Sequence, residues 1–413
     1  MKGIVMSNKT IGVEEKVPPV KGLLLGLQHF LSMFGATVLV PLLLGFSPSI
    51  SVMCSGIGTA IYLLTTKGKI PSYLGPSFSF VGPIVLAEAT VGQAGIGSAI
   101  VCAGFIFIAC ALVIRAIGTS WIDKLIPTTV MASIIFVIGC GLASTSVVDA
   151  FQTSDWHKLV IAFATFFAVV LCTCYGKGLF STIPVLFGAF VGYTISLAFG
   201  EIDFSPVMEA AWVGLPQFTF PEVSLPAIIL VSPIAFVVVI EHIGHVFVIG
   251  EMTGNDYKPI LWRSILGDGL ATTVAGFLGA PPATTFAENI GVLNITRVFS
   301  TQVFWYAAIA AIAIGGFCPK LGALISTIPS SVIGGVSIVI FGLIACNALK
   351  MLVNAQVDMN NMRNVIVFGG PVIIGVGMMT LSVGIPVGVY SIPGLAVAAI
   401  LGILLNRVLP EEM

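Results

Sequence analysis

The 413 residues are 57% hydrophobic and only 8% charged, with 17 Lys and Arg against 18 Asp and Glu. A globular domain has roughly 25% charged residues, so the composition excludes a soluble fold with a polar surface and also excludes intrinsic disorder. A formal net charge of −1 without a basic stripe argues against nucleic-acid binding. These numbers leave a multi-pass membrane protein.

Apolar stretches separated by Gly, Pro and charged residues predict fourteen membrane-spanning segments, because about 20 apolar residues cross a bilayer as a helix. The predicted segments, in chain order, are 22–45, 50–66, 71–91, 94–117, 121–145, 158–176, 179–199, 225–250, 260–279, 283–298, 302–318, 321–348, 364–382 and 386–407. The fold class is therefore an all-α polytopic membrane protein.

The distribution of Lys and Arg predicts the orientation of these segments. With a cytoplasmic N-terminus, all of the 17 Lys and Arg residues except Lys158 and Lys320 fall on the cytoplasmic side. The longest outer loop, 201–224, contains acidic residues but no Lys or Arg. Because cytoplasmic loops are enriched in Lys and Arg, we expect a cytoplasmic-membrane protein with both termini, including the tail 1–20, in the cytoplasm.

Two predicted segments are interrupted by Pro and Gly and cannot be continuous helices. They are residues 71–83 and 279–291, the third segment of each half of the chain. Paired interruptions at matching positions indicate an inverted repeat, here 7+7, with substrate bound where the interruptions meet. The alternative is that both are loops outside the membrane. We expect each interruption to contain a short strand, the two lying antiparallel.

Ionisable residues inside predicted spans are functional candidates, because burying them in a membrane is costly. Glu241 and His245 are four residues apart in the eighth span and share a helix face. Gly244 leaves room beside them. The pair is predicted to bind a polar solute and change protonation; the alternative is a structural ion pair. His242 lies on another face, and a packing or hydrogen-bonding role between helices is favoured for it.

Further candidates lie in the tenth span and around it. Glu288 follows the second interruption at the start of a helix, where free N–H groups favour a carboxylate or a ligand carbonyl. Asn289 is expected to cap that helix or brace the break. Asp268 is expected either to hold a neighbouring span or to help carry protons. Gln28 and His29 are expected to form hydrogen bonds between helices. The aromatic candidates for stacking on a planar ligand, or alternatively for core packing, are Phe78, Tyr73, Phe80 and Phe286.

The predicted site favours a neutral, planar solute. Ionised carboxylates only accept hydrogen bonds, so they suit N–H donors, while backbone N–H groups suit carbonyl oxygens. The predicted span interiors contain no Lys or Arg to balance an anion. Residue spacing alone leaves proton and sodium coupling open. We find no motif for a metal, a cofactor or a catalytic nucleophile, so neither an enzyme nor a cofactor is expected.

The stretch Glu288–Arg297, with Asn, Gly, Thr and Arg at fixed spacing, resembles the signature of the nucleobase/ascorbate transporter family. Gln28-His29, Glu241-His-Ile-Gly-His245 and the 68–75 run are also similar to that family, and Glu at 288 favours its uracil branch. The resemblance implies uracil:proton symport with fourteen spans. It implies a core domain (21–120 and 225–318) and a gate domain (121–200 and 319–413) that also forms a homodimer.

The resemblance also implies roles for individual residues. Glu241 and Glu288 would accept hydrogen bonds from uracil N–H groups, the amides of Phe78 and Ala287 would donate to its carbonyls, and His245 would couple protonation to binding. Phe286 stands where relatives carry Tyr, so a contact from a Tyr hydroxyl would be lost. A purine or xanthine permease, and an anion transporter or channel on the same inverted repeat, remain alternatives.

Overall fold

A computed structural model describes residues 10–118, 127–178, 180–232, 234–387 and 390–410. Residues 1–9 of the tail predicted at 1–20, the start of the fifth predicted span and the first residue of the seventh lie outside the described residues. The side chains of Phe34, Leu86, Ala89, Thr90, Ala287, Val387 and Tyr390 are also not described.

The described chain is almost entirely helical, with two short strand pairs. The helices are α1 Pro19–Leu43, α2 Pro48–Thr65, α3 Val81–Ile117, α4 Thr128–Gly141, α5 Ala143–Phe151, α6 Trp156–Tyr175, α7 Pro184–Ala198, α8 Ser205–Glu209, α9 Leu225–Val231, α10 Ile234–Thr253, α11 Leu261–Leu278, α12 Ala287–Thr296, α13 Thr301–Phe317, α14 Pro319–Ser326, α15 Ser330–Asn354, α16 Met362–Thr380 and α17 Gly394–Val408. The strands are β1 Leu74–Pro76, β2 Ala283–Thr285, β3 Gly384–Val387 and β4 Tyr390–Pro393, and 3-10 turns lie at Phe78–Phe80, Phe180–Thr182 and Lys258–Ile260.

Eight helical stretches among the described residues are long and apolar enough to cross a membrane. A ninth span results if α13 and α14, which meet at an angle of 82°, are counted as one broken segment. The helices α7 and α17 are apolar but shorter. The prediction of an all-α, multi-pass membrane protein is thus confirmed at this level.

The two interrupted segments meet as a pair of antiparallel strands, as predicted. Leu74 of β1 lies opposite Thr285 of β2, and Pro76 lies opposite Ala283. Each strand is only three residues long and fully buried. Proline and glycine on both sides prevent a continuous helix here, so the backbone groups must be satisfied by pairing within the protein.

The break between the third and fourth predicted spans is one residue, Gly92, inside α3. Its φ of 67° and ψ of 173° are not helical, and this region is accessible essentially only to glycine. A second strand pair, β3 with β4, precedes α17. It was not predicted: residues 386–393 had been assigned to the fourteenth span because they are apolar.

The helices pack in two groups. The first comprises α1, α2, α3 and α9–α13, and the second comprises α4–α7 and α15–α17. Small residues allow close approach inside the first group: a Cβ at Gly104 would lie 2.8 Å from the Gly269 carbonyl oxygen, and one at Gly269 would lie 2.9 Å from the Ile108 nitrogen. Such glycines are typical of closely packed membrane helices.

An apolar seam separates α1 of the first group from α7 and α15 of the second. It contains a cavity of about 30 Å³ lined by Gly35, Val38, Leu39, Leu42, Val185, Leu186, Ala189, Ile328, Val332, Ile333 and Val336. The lining offers no side-chain partner for water, and apolar cavities of this kind stay dry. At one edge the helices touch, because a Cβ at Gly35 would lie 2.3 Å from Cγ1 of Val185.

Candidate functional site

Threonine hydroxyl groups fix the strand pair to the helices around it. The Thr59 hydroxyl of α2 accepts a hydrogen bond of 3.0 Å from the Leu74 N–H. On the other side, the Thr272 hydroxyl of α11 accepts from the Ala283 N–H at 3.2 Å and donates to its carbonyl at 2.8 Å. These bonds satisfy backbone N–H and C=O groups on the outer edge of each strand, which the partner strand cannot reach.

A helix begins immediately after each strand. The Phe78–Phe80 turn leads from β1 into α3, and α12 begins at Ala287 after β2. The first N–H groups of a helix have no partner within it and carry a partial positive charge. The antiparallel pairing of β1 with β2 thus brings two helix starts, including the backbone of Phe78 and Ala287, to the same region.

Glu241 lies next to these helix starts. Its Oε2 accepts a hydrogen bond of 3.0 Å from the Ser79 hydroxyl, which joins α10 to the first interrupted segment. Glu241 and Glu288 are also close enough for their charges to interact. The structure therefore brings together the two carboxylates that the sequence placed 47 positions apart.

The site borders open space. A Cβ added at Gly244 of α10 or at Gly291 of α12 would have no atom within 4 Å. Glu241 and His245 are half-buried, whereas Glu288 is exposed to solvent although protein surrounds it on most sides. Glu288 is thus the most exposed of these three side chains.

His245 and His242 are linked through one hydroxyl. Thr285 Oγ1 lies 3.1 Å from Nδ1 of His245 and 3.2 Å from Nδ1 of His242. His242 Nδ1 also lies 2.8 Å from Oδ2 of Asp268, and both side chains are almost fully buried. The contact between His242 and Asp268 joins α10 to α11, as a role in holding neighbouring spans requires, and a role of Asp268 in carrying protons stays a prediction.

The hydrogen-bonded cluster continues toward α2. His242 Nε2 lies 2.6 Å from Ser264 Oγ, which lies 2.7 Å from the Tyr62 hydroxyl. Thr284 donates to Asp268 Oδ2 at 3.0 Å. Sequence reasoning did not single out Tyr62, Ser264, Thr284 or Thr285. The only available signal was the position of the two threonines inside an interruption, shortly after two prolines.

The aromatic candidates have different surroundings. Phe78 is buried and packs edge-on against Phe341 of α15, with ring centroids 5.8 Å apart. Phe286 packs onto β1, since a Cβ at Gly75 would lie 2.3 Å from its ring. Tyr73 and Phe80 are fully buried. Phe78 is thus the candidate that reaches across to the second group of helices.

Gln28 and His29 of α1 face different neighbours. Gln28 donates a hydrogen bond of 3.4 Å to the Thr182 hydroxyl, between α6 and α7. His29 is buried, stacks at a tilt on Phe304 and lies beside the Asn289 side chain. Within the described residues, neither ring nitrogen of His29 nor the Asn289 amide has a partner with good hydrogen-bond geometry. Phe286 occupies the N-cap position of α12, and no side chain, including that of Asn289, forms a capping hydrogen bond there.

Charge around the site favours a neutral ligand. The charged groups whose fields reach Glu241, among the described residues, are Glu288, His242 and Asp268. No Lys or Arg is among these groups, so an anion would face carboxylates, whereas N–H groups would find carboxylate acceptors and carbonyls would find helix N–H donors. The one set of three possible metal ligands in the described part of the chain, Asp155, His157 and Glu201, contains none of these residues.

Comparisons with known proteins agree with this geometry. The chain is 42% identical over 424 residues to the uracil permease of Bacillus subtilis (strain 168), covering 98% of this chain and 97% of that protein. It is 38% identical over 423 residues to the uracil permease of Escherichia coli (strain K12), covering 99% and 97%.

Among solved structures, the transmembrane domain of the cyanobacterial bicarbonate transporter BicA has the same fold. It superimposes with a TM-score of 0.64 at 12% sequence identity, covering 96% of this chain and all of that one. The family model Xan_ur_permease, described as a permease family, matches residues 20–384. The resemblance seen in the motifs is thereby confirmed: the chain belongs to the Xan_ur_permease family, a family of transporters and not of enzymes.

Proposed function

We propose that this protein imports uracil across the cytoplasmic membrane by proton symport. The observation that carries the proposal is the meeting of Glu241 and Glu288 beside two helix starts and open space, where no Lys or Arg of the described residues acts on Glu241. The names of the relatives support uracil as the substrate, since two uracil permeases match almost the full length of the chain.

Uracil fits the chemistry of this region. Its two N–H groups find acceptors in the carboxylates of Glu241 and Glu288, and its two carbonyls find donors in the backbone N–H groups of Phe78 and Ala287. The Phe78 ring provides a flat apolar face for the base, and the Phe286 ring packs against Gly75 of β1. Ser79 holds the Glu241 carboxylate in place.

Coupling to protons uses titratable groups at the site. Glu241, Glu288 and His245 are the candidates, and two interacting carboxylates hold a shared proton more readily than either holds one alone. Proton binding from outside neutralises one acid before uracil binds, and proton release to the cytoplasm frees the ligand. Gly244 keeps space for the base beside His245.

Alternating access follows from relative motion of the two groups of helices. In this proposal the fourteen segments form a 7+7 inverted repeat with both termini in the cytoplasm. The first group corresponds to a core domain (21–120 and 225–318) and the second to a gate domain (121–200 and 319–413), joined by the extracellular loop 201–224. The apolar seam along α1 supports this division, because few polar bonds join the groups there.

The protein is further proposed to be a homodimer through the gate domain. Among the long apolar helices of the described chain, α16 has the smallest share of buried residues. A partner or lipid must cover that apolar face. Native mass spectrometry of the purified protein distinguishes a partner subunit from lipid as the cover. A monomer at all concentrations contradicts the dimer.

Uptake of labelled uracil into proteoliposomes tests the function. Uptake is expected with an imposed inward proton gradient in sodium-free buffer and is expected to disappear when an ionophore removes that gradient. Excess unlabelled xanthine is expected to compete poorly. Strong competition by xanthine indicates the purine branch, a need for sodium contradicts proton coupling, and uptake of bicarbonate but not uracil indicates an anion transporter.

A further inference from the structure

The buried cluster behind His245 fixes which ring nitrogen of each histidine carries hydrogen. It comprises His242, Asp268, Thr285, Ser264 and Tyr62, contributed by α10, α11, β2 and α2. All five side chains are at most 1% exposed. Buried polar groups must find partners within the protein, so the direction of each hydrogen bond constrains the next.

The chain of bonds begins at Asp268. An ionised carboxylate only accepts hydrogen bonds, and its Oδ2 lies 2.8 Å from Nδ1 of His242. With Asp268 ionised, Nδ1 of His242 therefore carries a hydrogen. Nε2 of His242 then accepts from the Ser264 hydroxyl at 2.6 Å, and Ser264 accepts from the Tyr62 hydroxyl at 2.7 Å. If His242 is doubly protonated, these last two bonds reverse but Nδ1 keeps its hydrogen.

Thr285 transmits this direction to the site. Its hydroxyl lies 3.2 Å from the Nδ1–H of His242, so it can accept there but cannot donate. Its single hydrogen is therefore free to point at His245 Nδ1, 3.1 Å away. When Thr285 donates to His245 Nδ1, that nitrogen carries no hydrogen, so neutral His245 carries its hydrogen on Nε2.

We propose that His242 and Asp268 are positioning residues that, through the Thr285 hydroxyl, hold His245 in its Nε2–H form. The substrate does not need to touch either residue for this effect. The group facing uracil and protons is then a ring with one defined donor nitrogen, because the hydrogen bond at one imidazole nitrogen determines the state of the other. The functional consequence rests on the proposed role of His245 in proton coupling.

Nitrogen NMR of ring-labelled histidine in lipid-embedded protein tests the inference directly, without transport. The chain has four His residues, and His245→Gln and His242→Gln identify the two signals by their loss. The expected result at high pH is hydrogen on Nε2 of His245 and on Nδ1 of His242. The opposite form at either histidine overturns the proposal.

Two variants remove different hydrogen bonds of the cluster. Thr285→Val is expected to leave His242 unchanged while His245 loses its single form, with at least a tenfold change in the ratio of the two forms. Asp268→Leu is expected to change both histidines. Thr284→Val is the matched control, because it removes a neighbouring hydroxyl whose hydrogen bond, within the described residues, goes to Asp268, and both histidines are expected to keep their forms.

Transport measurements separate this inference from the proposed function. Thr285→Val is expected to shift the pH profile of uracil uptake, whereas Thr284→Val keeps the wild-type profile shape. If His245 keeps its Nε2–H form in Thr285→Val, the positioning proposal is wrong even when uracil uptake is normal. If the wild-type protein takes up no uracil, the proposed function is wrong, and the NMR result still decides the state of His245.

Discussion

The Ser79 hydroxyl donates a hydrogen bond of 3.0 Å to Oε2 of Glu241, joining the first interrupted segment to α10. Ser79 lies in the 3-10 turn that follows β1, and it is 4% exposed. The bond orients one oxygen of the carboxylate and leaves the other free to accept a hydrogen bond from a ligand. The position of Glu241 is thus set by the fold of a different segment.

We expect Ser79→Ala to weaken uracil binding about tenfold, since a hydrogen bond to a charged group contributes roughly 1.5–3 kcal/mol. The concentration dependence of uptake in proteoliposomes measures this change. Ser77→Ala is the matched control, because the buried Ser77 hydroxyl has no partner within the described residues. Equal affinities of the two variants would show that Ser79 does not position Glu241 for binding.

We expect Glu241→Gln and Glu288→Gln each to reduce uracil uptake at least about a hundredfold, because an amide places a competing donor where the ligand's N–H group needs an acceptor. Glu209→Gln makes the same chemical change in α8, outside both groups of helices, and is expected to have no effect. Near-normal uptake by Glu288→Gln would contradict the proposed site.

We expect Gly75→Ala to destabilise the protein by about 1–3 kcal/mol, the usual cost of overpacking. Its Cβ would lie 2.3 Å from Cε2 of Phe286 and would push the ring away from the strand pair. Thermal unfolding followed by tryptophan fluorescence measures the loss. In the control Gly377→Ala, the new Cβ meets no atom within 4 Å, so an equal fall in its melting temperature would refute this steric explanation.

We expect Gly35→Ala to slow uracil uptake, because its Cβ would lie 2.3 Å from Cγ1 of Val185 and would wedge α1 away from α7. The double variant Gly35→Ala with Val185→Ala is expected to recover uptake, since removing the valine methyl groups restores the space. Such non-additivity is the sign of direct contact between two residues. If the second change brings no recovery, the contact at the seam does not control transport.

Features with strong local signals were predictable from sequence. Proline and glycine identified both interruptions, and their matching positions predicted the antiparallel contact between β1 and β2. Glu241 and Glu288 were identifiable because acids are rare in spans. The hydroxyl partners were not predictable, since Ser, Thr and Tyr such as Ser264 and Tyr62 are common in membrane helices and acquire a role only through tertiary contacts. The β3–β4 hairpin was missed because an apolar strand and the start of an apolar helix look alike.

The dry cavity beside Gly35 has a mechanical consequence. Van der Waals contact has no preferred direction. The valine and leucine side chains of α1 that line the cavity can therefore move past α7 and α15 without breaking hydrogen bonds there. Directional bonds at this boundary occur at Thr182, where Gln28 reaches its hydroxyl and Ser32 donates to its carbonyl at 2.6 Å. Movement of α1 past the second group of helices therefore requires these two hydrogen bonds to break, and its rate depends on how often they do.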